Sequence, residues 1–263
     1  MTQLSNPPIP ASSEGLPPVE RRAVIPAGFR AGGLAAGIKA SGRPDLAVVV
    51  TSGGPAAAAA VFTPNAFAAA PVRLSRAHLA TTSGDARGGF GWATAVISTS
   101  GSANAATGAE GDADQLEIAL MLADAVATSP EQTLHLSTGI IGSRLPLDRV
   151  RRGLGTLLPS LSPTDDALLA VATAMCTTDS HTKTATTTVE LPGADSGSVT
   201  VRVSGVAKGV GMIHPNMATM LSVVLTDANV APELLWGLLR QAAARTWDQL
   251  SVDGDTSTND TVF

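Results

Sequence analysis

The chain has 263 residues, 44% of them hydrophobic, and a formal net charge of −5. That length suffices for a large domain with a substantial core. With 3% aromatic residues and no tyrosine, it has few platforms on which single-stranded nucleic acid could stack, and its mild acidity gives no phosphate-tracking surface. No apolar run approaches the ~20 residues that cross a bilayer.

Residues 1–22 hold Pro, Ser and Glu but no apolar run of the kind a secretory signal needs. A flexible tail over 1–23 and a cytoplasmic location are expected. Residues 46–50 read as a buried strand closed by Ser52-Gly53-Gly54-Pro55. Residues 57–62 and 71–74 read as further strands. Residues 92–98 read as another, running into the glycine-rich Ser100-Gly101-Ser102-Ala103-Asn104. A helix is expected over 112–127, with Leu116, Ala119, Leu120 and Ala123 on its apolar face. A short strand over 134–137 stops at Thr138-Gly139.

Helices follow over 146–158 and 165–175, then strands over 184–190 and 198–204 joined by a turn at 193–197. The clearest helix runs over 232–250, opened by Pro232 and Glu233. Residues 260–263 look like the opening of a strand with no turn after it, so a C-terminally truncated chain is expected. Strands interleaved with helices predict a layered α/β or α+β architecture. Cys176, the single cysteine, reads as a buried, inert thiol, and no Cys/His cluster suggests a metal.

The chemistry concentrates in segment 208–221. There a glycine-rich, proline-containing turn runs into Ala218-Thr219-Met220-Leu221 and then an apolar run. Taken alone, a Thr in such a place packs its methyl and satisfies its hydroxyl on the backbone. If instead the Ala218–Thr219 bond is cut by the chain itself, Thr219 carries a hydroxyl nucleophile and a free α-amine able to act as its base. Thr138 and Gly139 could hold a developing oxyanion, or form an ordinary turn. Lys208 could anchor a carboxylate, or be a solvated charge. Thr177-Thr178-Asp179 could be a cap or turn, and His214 beside Pro215 a turn histidine. Segment 253–260 is similar to the start of a calcium loop, but lacks Gly at the sixth position and reads as a polar turn.

As a set, these residues resemble the ornithine acetyltransferases (bifunctional glutamate N-acetyltransferases), a family of self-processing N-terminal-nucleophile acyltransferases. The resemblance runs through Gly28-Phe29-Arg30-Ala31, Ala36-Gly37-Ile38-Lys39, segment 100–108, segment 137–142, Thr177-Thr178-Asp179, segment 208–221 and segment 251–261. It departs from the family at Thr99, Ala106 and His214.

The resemblance implies an α/β sandwich whose precursor cuts itself between Ala218 and Thr219. Residues 24–218 then form the α-chain region, and residues 219–263 begin the β-chain region. Thr219 is implied as nucleophile, Thr138 and Gly139 as oxyanion hole, and Thr177, Lys208 and Thr219 as substrate-binding positions. The implied reaction moves acetyl from N2-acetylornithine to glutamate through acetyl-Thr219, in arginine biosynthesis. No metal or bound cofactor is implied, although acetyl-CoA is a donor for some members. Two α and two β chains would assemble as a heterotetramer, with no nucleic-acid or membrane partner. Two alternatives remain open: a related aminopeptidase or amidase in which water takes the acyl group, and a non-catalytic truncated homologue.

Overall fold

The computed structural model describes residues 17–193, 197–214 and 220–263. The strands are β1 (Phe29–Leu34), β2 (Leu46–Thr51), β3 (Ala56–Ala59), β4 (Val61–Phe62), β5 (Phe90–Ala93), β6 (Ala95–Ser102), β7 (Thr133–Ile140), β8 (Lys183–Pro192), β9 (Ser198–Lys208), β10 (Leu221–Thr226) and β11 (Thr261–Val262). The helices are α1 (Ala70–Ser83), α2 (Gly108–Ala125), α3 (Leu147–Leu157), α4 (Asp165–Met175) and α5 (Pro232–Arg245).

The first sheet has the order β1-β2-β6-β7 and is antiparallel except for the β6–β7 pair, which α2 connects. The second has the order β4-β11-β10-β9-β8, with β10 and β11 parallel. β3 and β5 form a small two-stranded antiparallel sheet.

The alternation of side chains along β2 shows why the sheet must be covered twice. Leu46, Val48 and Val50 face Ile118 and Leu122 of α2 and Val150 and Leu154 of α3. Ala47 and Val49 face the opposite way, against Leu168, Val171 and Met175 of α4. The far side of α4 meets Val206, Leu221, Val223 and Phe263 of the second sheet. Beyond that sheet, Leu239 and Ala243 of α5 cover Val61, Val224 and Val262. The result is the layered α/β sandwich expected from the strand and helix pattern.

Several expectations need correction. Residues 71–74 lie in α1, not a strand. Pro71 sits in the first turn, where a fixed φ favours a helix, and Gly84 ends it at φ 74°. A four-residue apolar run cannot distinguish the two periods. The strand expected over 57–62 is two strands in different sheets, and that over 92–98 breaks at Thr94. On α2, Leu116 and Leu120 are exposed, and the buried stripe is Gln115, Ile118, Ala119, Leu122 and Ala123. The chain is paired ahead of Val24: Glu20 exchanges backbone hydrogen bonds with Thr186. The turn expected at 193–197 closes by a bond from the Gly193 N–H to the Gly197 carbonyl, 2.7 Å, and its residues 194–196 lie outside the described residues.

Candidate active site

The ends of β6, β7 and β9 and the start of β10 converge on one region. β6 and β7 run parallel in register to Gly101 opposite Gly139, both at positive φ (125° and 132°). A Cβ on Gly139 would lie 2.4 Å from the Gly101 carbonyl carbon, so only glycine allows this approach. The loop after β6 is secured from behind. The Asn104 amide donates to the Gly111 carbonyl (2.8 Å) and to Gln115 Oε1 (3.1 Å), and Gln115 meets His135 at 3.0 Å. His135 is fully buried, and burial pulls its imidazole down to about 3, so it stays neutral and structural.

Thr138, in β7, is 8% exposed and its Oγ1 accepts a hydrogen bond of 3.0 Å from Lys208 Nζ. Lys208, the last residue of β9, is itself only 5% exposed. Burial pulls its ammonium below the usual lysine range, and the carboxylates of Asp179 and Asp260 pull it back. The bond uses a lone pair of Thr138 and leaves the hydroxyl hydrogen free to donate. A developing oxyanion would be met by that hydrogen, polarised by a cation behind it. Lys208 is therefore no solvated surface charge.

Thr177 follows α4 in a turn built around Asp179. The Asp179 carboxylate accepts from Lys183 Nζ (2.5 Å), the Gly209 N–H (2.8 Å) and the Thr177 N–H (3.3 Å). Burial would raise this carboxyl, but those donors outweigh it and hold it below the ordinary range. Asp179 thus ties the Thr177 turn to the residue after Lys208. Lys39 secures the same turn from the other side, donating to the carbonyls of Pro44 (2.6 Å), Ala174 (3.3 Å) and Cys176 (2.5 Å). Arg43 donates to the Thr177 carbonyl at 2.6 Å. Cys176 is buried and its thiol is pushed up by that burial, as expected of an inert thiol.

Segment 253–260 belongs to this region too. Asp253 accepts from the N–H groups of Met212 (2.7 Å) and Ile213 (2.8 Å), which hold its carboxyl below the usual range. This is a polar turn, and it fixes the loop after Lys208. Strain falls on Met212 (φ 60°) and freedom on Gly209 (φ 146°), whereas Gly211 takes no positive φ. The Asn259 amide donates to the carbonyls of Ala103 (2.7 Å) and Ser137 (2.9 Å), linking the loop before β11 to the end of the first sheet.

The structure therefore joins Thr138, Gly139 and Lys208 directly and Thr177 through Asp179. Ala218 and Thr219 lie outside the described residues. Asp179, Asp253 and Asn259 have structural roles here that motif reading did not assign. Among the described residues, no group of three or more His, Cys, Asp and Glu side chains could hold a metal ion. No helix among them is long and apolar enough to cross a membrane.

The model of the ArgJ family matches residues 30–263. The chain belongs to the ArgJ family. Among ArgJ-family relatives, the arginine biosynthesis bifunctional protein ArgJ of Thermosynechococcus vestitus is 47% identical over 90% of this chain and 52% of its own length. The mitochondrial ArgJ protein of Aspergillus terreus is 44% identical over 93% of this chain and 53% of its own. The chain thus spans about half the length of the curated relatives it matches.

Two solved ArgJ-family structures share the fold. The ornithine acetyltransferase of Mycobacterium tuberculosis, crystallised with ornithine, has a TM-score of 0.63 and 35% identity, covering 76% of this chain and 99% of that one. The ArgJ protein of Bacillus halodurans has a TM-score of 0.65 and 32% identity, covering 78% and 98%.

Proposed function

We propose that this chain is the self-opening, acetyl-transferring portion of an ArgJ-type glutamate N-acetyltransferase and ornithine acetyltransferase. The observation that carries the proposal is the buried Lys208 ammonium donating to the Thr138 hydroxyl beside the constrained Gly139. The names of the relatives, and the ornithine in the Mycobacterium structure, supply the substrate class.

The Ala218–Thr219 bond opens, and residues up to Ala218 and from Thr219 onward stay associated as α and β chains. The new α-amine of Thr219, with a reference pKa of about 8, takes the proton of its own hydroxyl. The hydroxyl oxygen attacks the acetyl carbonyl of N2-acetylornithine. Thr138 and the Gly139 N–H hold the oxyanion, and ornithine leaves as the free amine. Glutamate then takes the acetyl group from Thr219. Thr177 and the remaining Lys208 N–H groups face the substrate. No bound cofactor is required, and acetyl-CoA could serve as an alternative donor. The assembly proposed is a heterotetramer of two α and two β chains, in the cytoplasm, where a single reduced thiol is unremarkable.

Intact-mass measurement tests this. The purified chain should appear as two pieces split at Ala218–Thr219, and Thr219→Ala should remain whole. N2-acetylornithine should then add one acetyl group to the Thr219 piece, and glutamate should remove it. Loss of that acetyl to water at the same rate without glutamate would indicate an amidase, and a wild-type chain that stays whole would refute the reading.

A further inference from the structure

The bond from Lys208 to Thr138 depends on the charge of Lys208. An ammonium has three N–H donors and no lone pair, so Thr138 Oγ1 accepts from it and the hydroxyl hydrogen points elsewhere. A neutral amine has a lone pair, and the Thr138 hydroxyl can turn its hydrogen onto that nitrogen instead. Only the charged form leaves the hydrogen directed at an oxyanion. Lys208 is 5% exposed, and burial favours the neutral form. Something in the fold has to oppose that preference.

The strongest opposing charge is Asp179. Its side chain is fully buried and closes an ion pair of 2.5 Å with Lys183, four residues on, whose side chain is 29% exposed. Strand β8 pairs Lys183 with Ala207 of β9, so the register sets this ion pair beside the next residue, Lys208. Asp179 Oδ1 accepts from both Lys183 Nζ and the Gly209 N–H, and Oδ2 from the Thr177 N–H. One carboxylate therefore holds the peptide unit that follows Lys208 and the turn that carries Thr177. The other groups facing Lys208 are Asp260 ahead of β11, Cys176 after α4 and Lys39 between β1 and β2. Asp260 favours the ammonium, as Asp179 does. Lys183 and Lys39 oppose it, and the thiol of Cys176 is pushed up by burial.

We propose that Asp179 is a positioning residue of acetyl transfer, with Lys183 as its counter-ion: the carboxylate keeps Lys208 an ammonium turned onto Thr138, and so keeps the Thr138 hydrogen available to the oxyanion. The proposal rests on the reading of Thr138 as oxyanion donor. Asp179 acts through Lys208 and the Thr177 backbone. The sign of each perturbation follows. Transfer is supported while Lys208 is protonated and is lost as the pH rises through its titration. Asp179→Asn removes the favourable negative charge, so Lys208 loses its proton at a lower pH. Lys183→Met removes a competing positive charge and leaves Asp179 ionised on its two N–H donors, so Lys208 keeps its proton to a higher pH.

Two readouts on the whole chain test this between about pH 6 and 11, the range in which lysines titrate. Carbon-13 NMR of the lysine Cε groups follows protonation, with the Lys208 signal identified by its loss in Lys208→Arg. The rate of acetyl transfer from N2-acetylornithine to glutamate follows its use. The Lys208 midpoint and the alkaline limb of kcat should both move to lower pH in Asp179→Asn and both to higher pH in Lys183→Met. At about pH 8.5, kcat of Asp179→Asn should be about 10-fold or more below wild type. A purely structural role would not move the two variants in opposite directions. If Asp179→Asn does not fold, the upward movement in Lys183→Met decides alone. Midpoints that stay put, or move the same way in both variants, overturn the coupling of Asp179 to Lys208. Midpoints that move apart while the limb of kcat stays fixed overturn the role of Asp179 in transfer. A wild-type chain that transfers no acetyl, with midpoints that still move apart, overturns the transferase reading and upholds the coupling.

Discussion

Asp260 is 1% exposed and, among the described residues, neither of its carboxylate oxygens closes a hydrogen bond of ordinary geometry, which makes a quantitative statement about stability. In an unfolded chain its carboxyl titrates near 3.8, and in the fold it is pushed up to about 7. Between those values the folded protein holds a proton that the unfolded chain has lost, so stability falls as pH rises through this window and reaches its floor above 7. A difference of roughly three units, at about 1.4 kcal/mol each, amounts to about 4 kcal/mol at alkaline pH. Asp260→Asn removes the titrating group while keeping its shape. Relative to wild type, the variant should gain about 3 kcal/mol between about pH 4.5 and pH 8.5, since about 1 kcal/mol of the loss has already occurred at the lower pH. An amide whose N–H groups lack acceptors adds a constant penalty of about 1–2 kcal/mol, which cancels in the comparison between pH values. Urea unfolding of both proteins at both pH values supplies the numbers. A stability difference that is unchanged across this range, or that shrinks with rising pH, would refute the account of Asp260 as a destabilised carboxyl.

Two further substitutions examine the frame of the site. Gly139→Ala places a Cβ 2.4 Å from the Gly101 backbone at φ 132°, and should cost about 3 kcal/mol or more. Gly142→Ala, at φ 81° with nothing within 4 Å, should cost about 1–2 kcal/mol; equal losses in denaturant titrations would contradict the steric argument. Lys39→Met leaves the carbonyls of Pro44, Ala174 and Cys176 without their shared donor. The expected loss is about 2–4 kcal/mol, together with a raised KM for the acetyl donor as the Thr177 turn loosens. An unchanged KM in the folded variant would remove Lys39 from the positioning of Thr177.

The parts of the fold legible in sequence are those with long, regular patterns. Helix α4 matches its expected limits because Thr164 caps it, accepting from the Ala167 N–H, and two aspartates fill its first turn. Strand β2 reads as a continuous apolar run because both its faces are covered. Strand β1 goes unread because Phe-Arg-Ala-Gly-Gly-Leu shows neither an apolar run nor an alternation, and β4 merges with β3 into one expected strand, whereas β11 answers the strand opening expected at 260–263. The exposed face of α2 was misjudged for a different reason. Asp114 and Gln115 are drawn inward by Arg144, Asn104 and His135, and no hydrophobic periodicity records such bonds.

The candidate site shows the same division. Thr138, Gly139, Thr177 and Lys208 were found because together they resemble a family motif, not because any one of them stood out. The ammonium of Lys208 turned onto Thr138 could not be read from the chain, because the two residues lie 70 positions apart. The isolation of the Asp260 carboxyl is equally non-local. Nothing within segment 253–260 distinguishes its last aspartate from Asp253, which is exposed and accepts several backbone N–H groups.

The antiparallel pairing of β9 with β10 has a consequence for a chain opened between them. Leu221 faces Lys208 and Thr226 faces Val203, so each new fragment carries one half of an unbroken run of interstrand hydrogen bonds. Opening the chain would turn a single folded polymer into a pair of complementing fragments that share one sheet. Unfolding would then be a dissociation, and the melting temperature would rise with protein concentration, as it cannot for the uncut precursor folding as a monomer.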